Sequence, residues 1–246
     1  MKRLQWSILL GIGLISTSAF LYFLHHTFFG DLHFIFFAGL ASLAFAPIQG
    51  LVVTLIIAEL FVTMNRRSKM QKMNMVIGAF FSELGTELLR FLYFADPQAA
   101  HLRKTVEISG DLSAAQLKSL LKNLADYPFK VNLGRENLPD LRDLLTSRRE
   151  FMVRLLENPS LLENEKFTDL LWAVFHMTEE LAARKDLGSV PDSDLDHMRG
   201  DMTRSYRSLF TEWLRYMKHL HDRYPFLYSF AMRTSPIEPE RQVEVV

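Results

Sequence analysis

The chain contains no cysteine, and that one absence removes disulfides, thiolate metal sites and cysteine nucleophiles together. Net charge is missing as well: 28 Lys and Arg stand against 28 Asp and Glu. No broad basic surface therefore recommends nucleic acid as a partner. There is no Walker string, no Gly-x-Ser-x-Gly, no His-Glu-x-x-His, no internal repeat and no low-complexity segment. The common catalytic motifs are thus unsupported, and neither catalytic residues nor cofactors are expected.

What the chain has is two long apolar runs, 4–24 and 34–62, joined by the link His25–His33. A bilayer core of roughly 30 Å takes about 20 apolar residues in helical form, so each run can span it. Lys2 and Arg3 precede the first run, Arg66, Arg67, Lys69 and Lys72 follow the second, and the link holds neither Lys nor Arg. Because cations near a span resist translocation, this predicts a membrane hairpin with both termini cytoplasmic. A signal peptide cleaved after Ala19 is the alternative. The apolar continuation through Phe20–Leu24 favours an uncleaved anchor. Either way residues 65–246 face the cytoplasm.

Pro47 should kink or break the second helix. Ala38, Ser42 and Ala46, like Ser7 and Gly11, form small faces suited to close helix packing, within the hairpin or between copies. A potassium-channel reading lacks its filter string, since the nine-residue link cannot hold a re-entrant loop.

The expected organisation is a hairpin at 1–64, a cytoplasmic helical bundle at 65–233 and a flexible tail at 234–246. Met70, Met73, Ile77, Phe80, Leu84, Leu88 and Phe91 recur in helical steps up to Pro97, predicting the central core helix. Phe80 and Leu84 should pack on helices near 167–181 and 213–220. The alternating segments Lys104–Ile108 and Phe129–Leu133 predict two short strands. Between them Ser113 and Gln116 form a capping box for a helix to about Asp126, giving a strand–helix–strand insert. Further helices are expected over 138–158, 163–184 and from Asp192 or Ser193 as cap to Tyr224, where Pro225 ends the last.

The stretches Pro47–Ile57, Met73–Glu87, Leu155–Leu162 and Thr168–Glu180 resemble those of a family of prokaryotic two-span membrane proteins with a cytoplasmic helical domain. The resemblance covers most of the chain beyond the first span. It implies one hairpin-plus-bundle unit in the plasma membrane of a prokaryote, and transfers no activity and no site residue.

One polar constellation remains. His176 and Glu179 share a predicted helix with Glu180, and Glu83 and Glu87 stand one turn apart on the core helix. Helical carboxylate metal sites use Glu with Glu-x-x-His pairs; His176-x-x-Glu179 has that spacing in reverse order. An ion-paired helix edge accounts for the same residues and is preferred. Asp192–Asp196 has alternating acids, but His197 and Thr203 fall where a calcium loop needs Gly and Glu. The expected role is therefore a bilayer-anchored scaffold, assembly or signalling domain that associates with itself or a protein partner. A bundle metal enzyme or sensor and a channel or transporter subunit are the alternatives.

Overall fold

The computed structural model describes residues 2–106 and 112–238. It is mainly helical, with no strand among the described residues. The chain divides into two compact units, Met1–Asn65 and Arg66–Val246.

The first unit holds α1 (Lys2–Phe29) and the opening part of α2 (Leu32–Phe80). They turn at Gly30, whose φ of 66° is one that side-chain-bearing residues rarely adopt. Asp31 Oδ1 then accepts the Phe34 amide at 3.0 Å and starts α2. Apolar side chains such as Leu14, Phe20, Phe36, Leu40, Phe45, Leu55 and Leu60 are exposed. Among the described residues one helix, the stretch His33–Phe94, is long and apolar enough to cross a membrane; its most apolar part has a mean hydropathy of 2.1. The first expected span lies in α1, whose side chains before Ile12 fall outside the described residues. Pro47 does not break α2, although it cannot donate the hydrogen bond that the Leu43 carbonyl would have accepted.

The second unit is organised by a four-residue rhythm. Buried residues occur in pairs at Val76–Ile77, Phe80–Phe81, Leu84–Gly85, Leu88–Leu89 and Leu92–Tyr93. In an uninterrupted α-helix four such steps would overrun 3.6 residues per turn by about 160° and carry the seam off the core. The helix instead widens into a π turn at Phe81–Gly85 before α3 (Thr86–Phe94). That turn absorbs one residue, about 100°, and keeps the seam on one face. Thr86 closes it twice: its amide bonds to the Phe81 carbonyl, and Oγ1 donates to the same oxygen at 2.7 Å.

Around this seam stand α4 (Ala99–Thr105), α5 (Ala114–Asp126), α6 (Leu138–Ser147), α7 (Arg149–Leu156), α8 (Glu165–Ala183), α9 (Asp192–Arg223) and α10 (Pro225–Arg233). The long α9 is the hub, packing on α3, α5, α8 and α10, while α6 and α7 pack on α8. Phe80 and Leu84 are wholly buried. Phe80 meets Phe167 of α8 edge-on at 5.4 Å, and Phe81 stacks on Tyr216 of α9 at 5.1 Å. These contacts agree with the expected packing of the core helix.

The capping box at Ser113 and Gln116 is present in both directions, but its flanking strands are not. Lys104 and Thr105 lie in α4, and 107–108 lie outside the described residues. Phe129–Leu133 is extended, with Phe129, Val131 and Leu133 inward as the alternation predicted. It pairs with no strand because its backbone partners come from elsewhere. The Val131 amide donates to Thr203 Oγ1, the Asn132 amide to the Ala95 carbonyl, and Arg199 Nε to the Leu133 carbonyl. A one-sided alternation is satisfied equally well by a helix surface.

Three boundaries also differ. The helix expected over 138–158 breaks at Arg148, where Ser147 Oγ takes the Leu144 carbonyl and Arg148 Nε reaches the Glu83 carbonyl. Pro191 is the N-cap of α9, so Asp192 lies inside its first turn. The tail expected from 234 is docked at its start: Ser235, Pro236 and Ile237 are buried, and Arg90 Nη1 donates to the Glu238 carbonyl at 2.7 Å. Residues 239–246 lie outside the described ones.

Candidate functional site

The outward edges of α8 and α9 form a continuous polar seam. Helical spacing begins it: His176 and Glu180 lie four residues apart on one edge of α8, and Arg184, the extended C-cap of that helix, continues it. His176 Nε2 stands 4.0 Å from Glu180 Oε1, and Arg184 Nη1 lies 2.6 Å from Glu180 Oε2. Arg184 then crosses to α9 and grips Asp194 with two hydrogen bonds, Nε to Oδ2 at 2.8 Å and Nη2 to Oδ1 at 2.6 Å. This fork geometry is one that a lysine could not reproduce. Two turns further along α9, Asp201 faces His176 Nε2 at 3.7 Å and His197 Nε2 at 3.5 Å, and is ion-paired with Arg204.

The electrostatics follow from these contacts. Hydrogen bonds from Arg184 hold the carboxyls of Glu180 and Asp194 below their usual range. The same contacts, first that to Asp194, push the guanidinium of Arg184 up. Glu179 is engaged by Arg149 of α7 at 2.6 Å, which raises the arginine in turn. Groups fixed in opposite charge states clamp two helices together well. They exchange protons near neutrality poorly.

The metal-site candidates scatter. His176 faces Asp201, Glu179 faces Arg149, and Glu83 and Glu87 lie exposed on the π turn and α3. Among the described residues no group of three or more His, Asp or Glu is arranged to hold a metal ion.

Sequence reasoning missed a second polar cluster in the interior. Asp96 is buried, accepting the Gln98 amide at 2.9 Å and the Tyr127 hydroxyl at 2.7 Å. Desolvation first, then the bond to Asp96, pushes the Tyr127 phenol far up. The fully buried Tyr206 is also shifted up by desolvation. The Tyr127 phenol donates to Asp96, whereas the Tyr206 hydroxyl is buried without a hydrogen-bond partner among the described residues. Asp96 precedes Pro97, and Tyr127 ends α5, so only their long-range proximity makes the cluster. Glu212 on α9 is likewise buried, and desolvation raises its carboxyl despite the opposing pull of Arg215. A cavity of about 630 Å³ opens between α3–α4 and the docked tail, lined by Tyr93, Arg103, Trp213, Met232 and Glu238. Its rim cation Arg103 is already paired with Glu238.

Two family descriptions match the chain: "MJ1433, N-terminal helical domain" over residues 2–61, and "Uncharacterized protein MJ1433, C-terminal helical domain" over residues 69–233. A relative from Methanocaldococcus jannaschii, "Uncharacterized protein MJ1433", is 38% identical over 238 residues, covering 97% of this chain and 96% of its own. No solved structure matches.

Proposed function

The chain belongs to the MJ1433 family, and from that premise we propose that it is a membrane-anchored assembly protein without catalysis. In this reading α1 and the first part of α2 form a bilayer hairpin, and the second unit is a cytoplasmic helical domain that binds a protein partner or a second copy. The observation that carries it is a contrast in surfaces. The second unit buries most of its apolar side chains in a shared core, whereas most of the described apolar side chains from Ile12 to Met64 in the first are exposed. A helix apolar all round needs lipid or protein as its solvent.

The absence of catalysis is inferred from how the polar groups are used. Arg149, Glu179, Glu180, Arg184, Asp194 and Asp201 are all engaged in ties that hold α7, α8 and α9 together. A domain so braced presents a rigid outer surface, which suits recognition.

The reading is tested by topology and by association. Alkaline-phosphatase fusions at Gly30 should be active and those at Ser235 inactive. Cross-linking in native membranes should trap one discrete species larger than the monomer. Activity at Ser235 would refute the orientation, and a chain that stays monomeric at all cross-linker concentrations would refute the assembly role.

A further inference from the structure

The turn between α9 and α10 stands out from the rest of the second unit. Its location within that unit follows from two contacts. Tyr216 stacks on Phe81 and lies 3.5 Å from where a Cβ on Gly78 would stand. His219 Nδ1 then meets Asn74 Nδ2 at 3.1 Å. Rising numbers on α9 thus meet falling numbers on α2, so the two run antiparallel. One further turn, about four residues, brings Arg223 and Tyr224 level with Met70 and Lys69. The turn therefore lies at the end of the second unit where its basic opening segment begins. Counted along the chain, Met70 follows the apolar run ending at Val62 by only eight residues.

The turn is apolar where it is free and basic around that. Phe226, Leu227 and Phe230 share one face of α10 and are 71%, 42% and 48% exposed. The opposite face, with Tyr228, Ala231 and Met232, packs on the core. Segments 69–72 and 218–233, which this register brings side by side, carry five Lys and Arg and a single acid, Asp222. Asp222 is occupied by Lys218 and by His221. Exposed aromatics next to a basic stretch of chain match the headgroup region of an anionic bilayer, where rings sit at the interface and each nearby cation adds attraction.

We propose that the α9–α10 turn docks on an anionic bilayer surface, with Phe226 and Leu227 inserted at headgroup depth. The proposal rests on the membrane-hairpin reading above. Docking would tie the second unit to the membrane at a second point and restrict the faces it offers to a partner.

The absence of cysteine makes single-site labelling specific. The full chain, carrying an environment-sensitive fluorophore on Phe226→Cys, Leu43→Cys or Lys122→Cys, is reconstituted into phosphatidylcholine vesicles with or without phosphatidylglycerol. Lipids spin-labelled near the headgroup serve as quenchers for the label at 226, and lipids spin-labelled at mid-chain for the label at 43; both are applied to the label at 122. The label at 226 should be quenched roughly twofold or more when phosphatidylglycerol is present, and less without it; the label at 122 should stay unquenched. Quenching at 43 but not at 226 overturns the docking and leaves the hairpin standing. No quenching at either overturns both. Equal quenching at 226 in both vesicles refutes the anionic recognition. A label at 226 that is blue-shifted yet unquenched puts protein on the turn and overturns the proposal.

Discussion

Replacing Gly85 by alanine tests the π turn directly. In an ordinary exposed helix that change gains about 1 kcal/mol, because alanine loses less backbone entropy than glycine. Here the new Cβ would lie 2.7 Å from Phe80 Cε1, 2.7 Å from Phe81 Cδ1 and 2.9 Å from Phe80 Cδ1. Ordinary carbon contacts are about 3.5–4.0 Å, so both rings would have to retreat by nearly an ångström. Neither has room: both are buried, one against Phe167 and the other against Tyr216. Overpacking of this kind costs about 1–3 kcal/mol, enough to outweigh the helical gain at the upper end and cancel it at the lower. With about 2–4 °C per kcal/mol for a domain of this size, the melting temperature should fall, by up to roughly 8 °C at the upper end of that cost. Gly78→Ala is the matched control. Its Cβ would meet Tyr216 at an unstrained 3.5–3.9 Å, so the helical gain should survive and the melting temperature hold or rise. Thermal melts by circular dichroism, in one detergent at one protein concentration, compare the two. If Gly85→Ala melts at or above the temperature of Gly78→Ala, the rings are not confining and the account of the π turn fails.

Two further outcomes are expected. Glu212 is buried and its carboxyl is raised by desolvation, so its charge costs stability in full above the folded value, and that cost fades as pH falls from there to the unfolded value. Glu212→Gln should therefore raise the melting temperature at pH 7, with a gain that shrinks as pH falls toward about 4.3, the unfolded glutamate value; a gain independent of pH would exclude this cause. Truncation after Thr234 removes the buried Ile237 and the Glu238 contacts to Arg90 and Arg103. Burial of an isoleucine alone contributes about 1.5–3 kcal/mol, so the truncated chain should melt lower, and an unchanged melt would mean that the docked tail adds nothing.

Helix content, the core seam through Phe80 and Leu84, the capping box at Ser113 and the stop at Pro225 were all legible in the residues. Each depends on neighbours within about one turn, where spacing and side-chain type suffice. The candidate polar residues on α8 were legible too, but not their use. His176 and Glu179 could have faced Glu83 and Glu87; the crossing of α8 with α7 and α9 turned them to Asp201 and Arg149 instead.

The same division separates the remaining points. Alternation at Phe129–Leu133 correctly announced an extended segment with one buried face. Whether its partner was a strand or α9 depended on residues some seventy positions away, Thr203 and Arg199. The four-residue rhythm from Val76 to Tyr93 was in the sequence, but the π turn that reconciles it with one face required the core on the other side. The Asp96–Tyr127 pair and the antiparallel register of α9 on α2 likewise arise from chain segments that meet only in the folded bundle. Local pattern sets which residues want to be buried or bonded; tertiary packing chooses the partner, because that choice minimises the free energy of the whole core and not of any one segment.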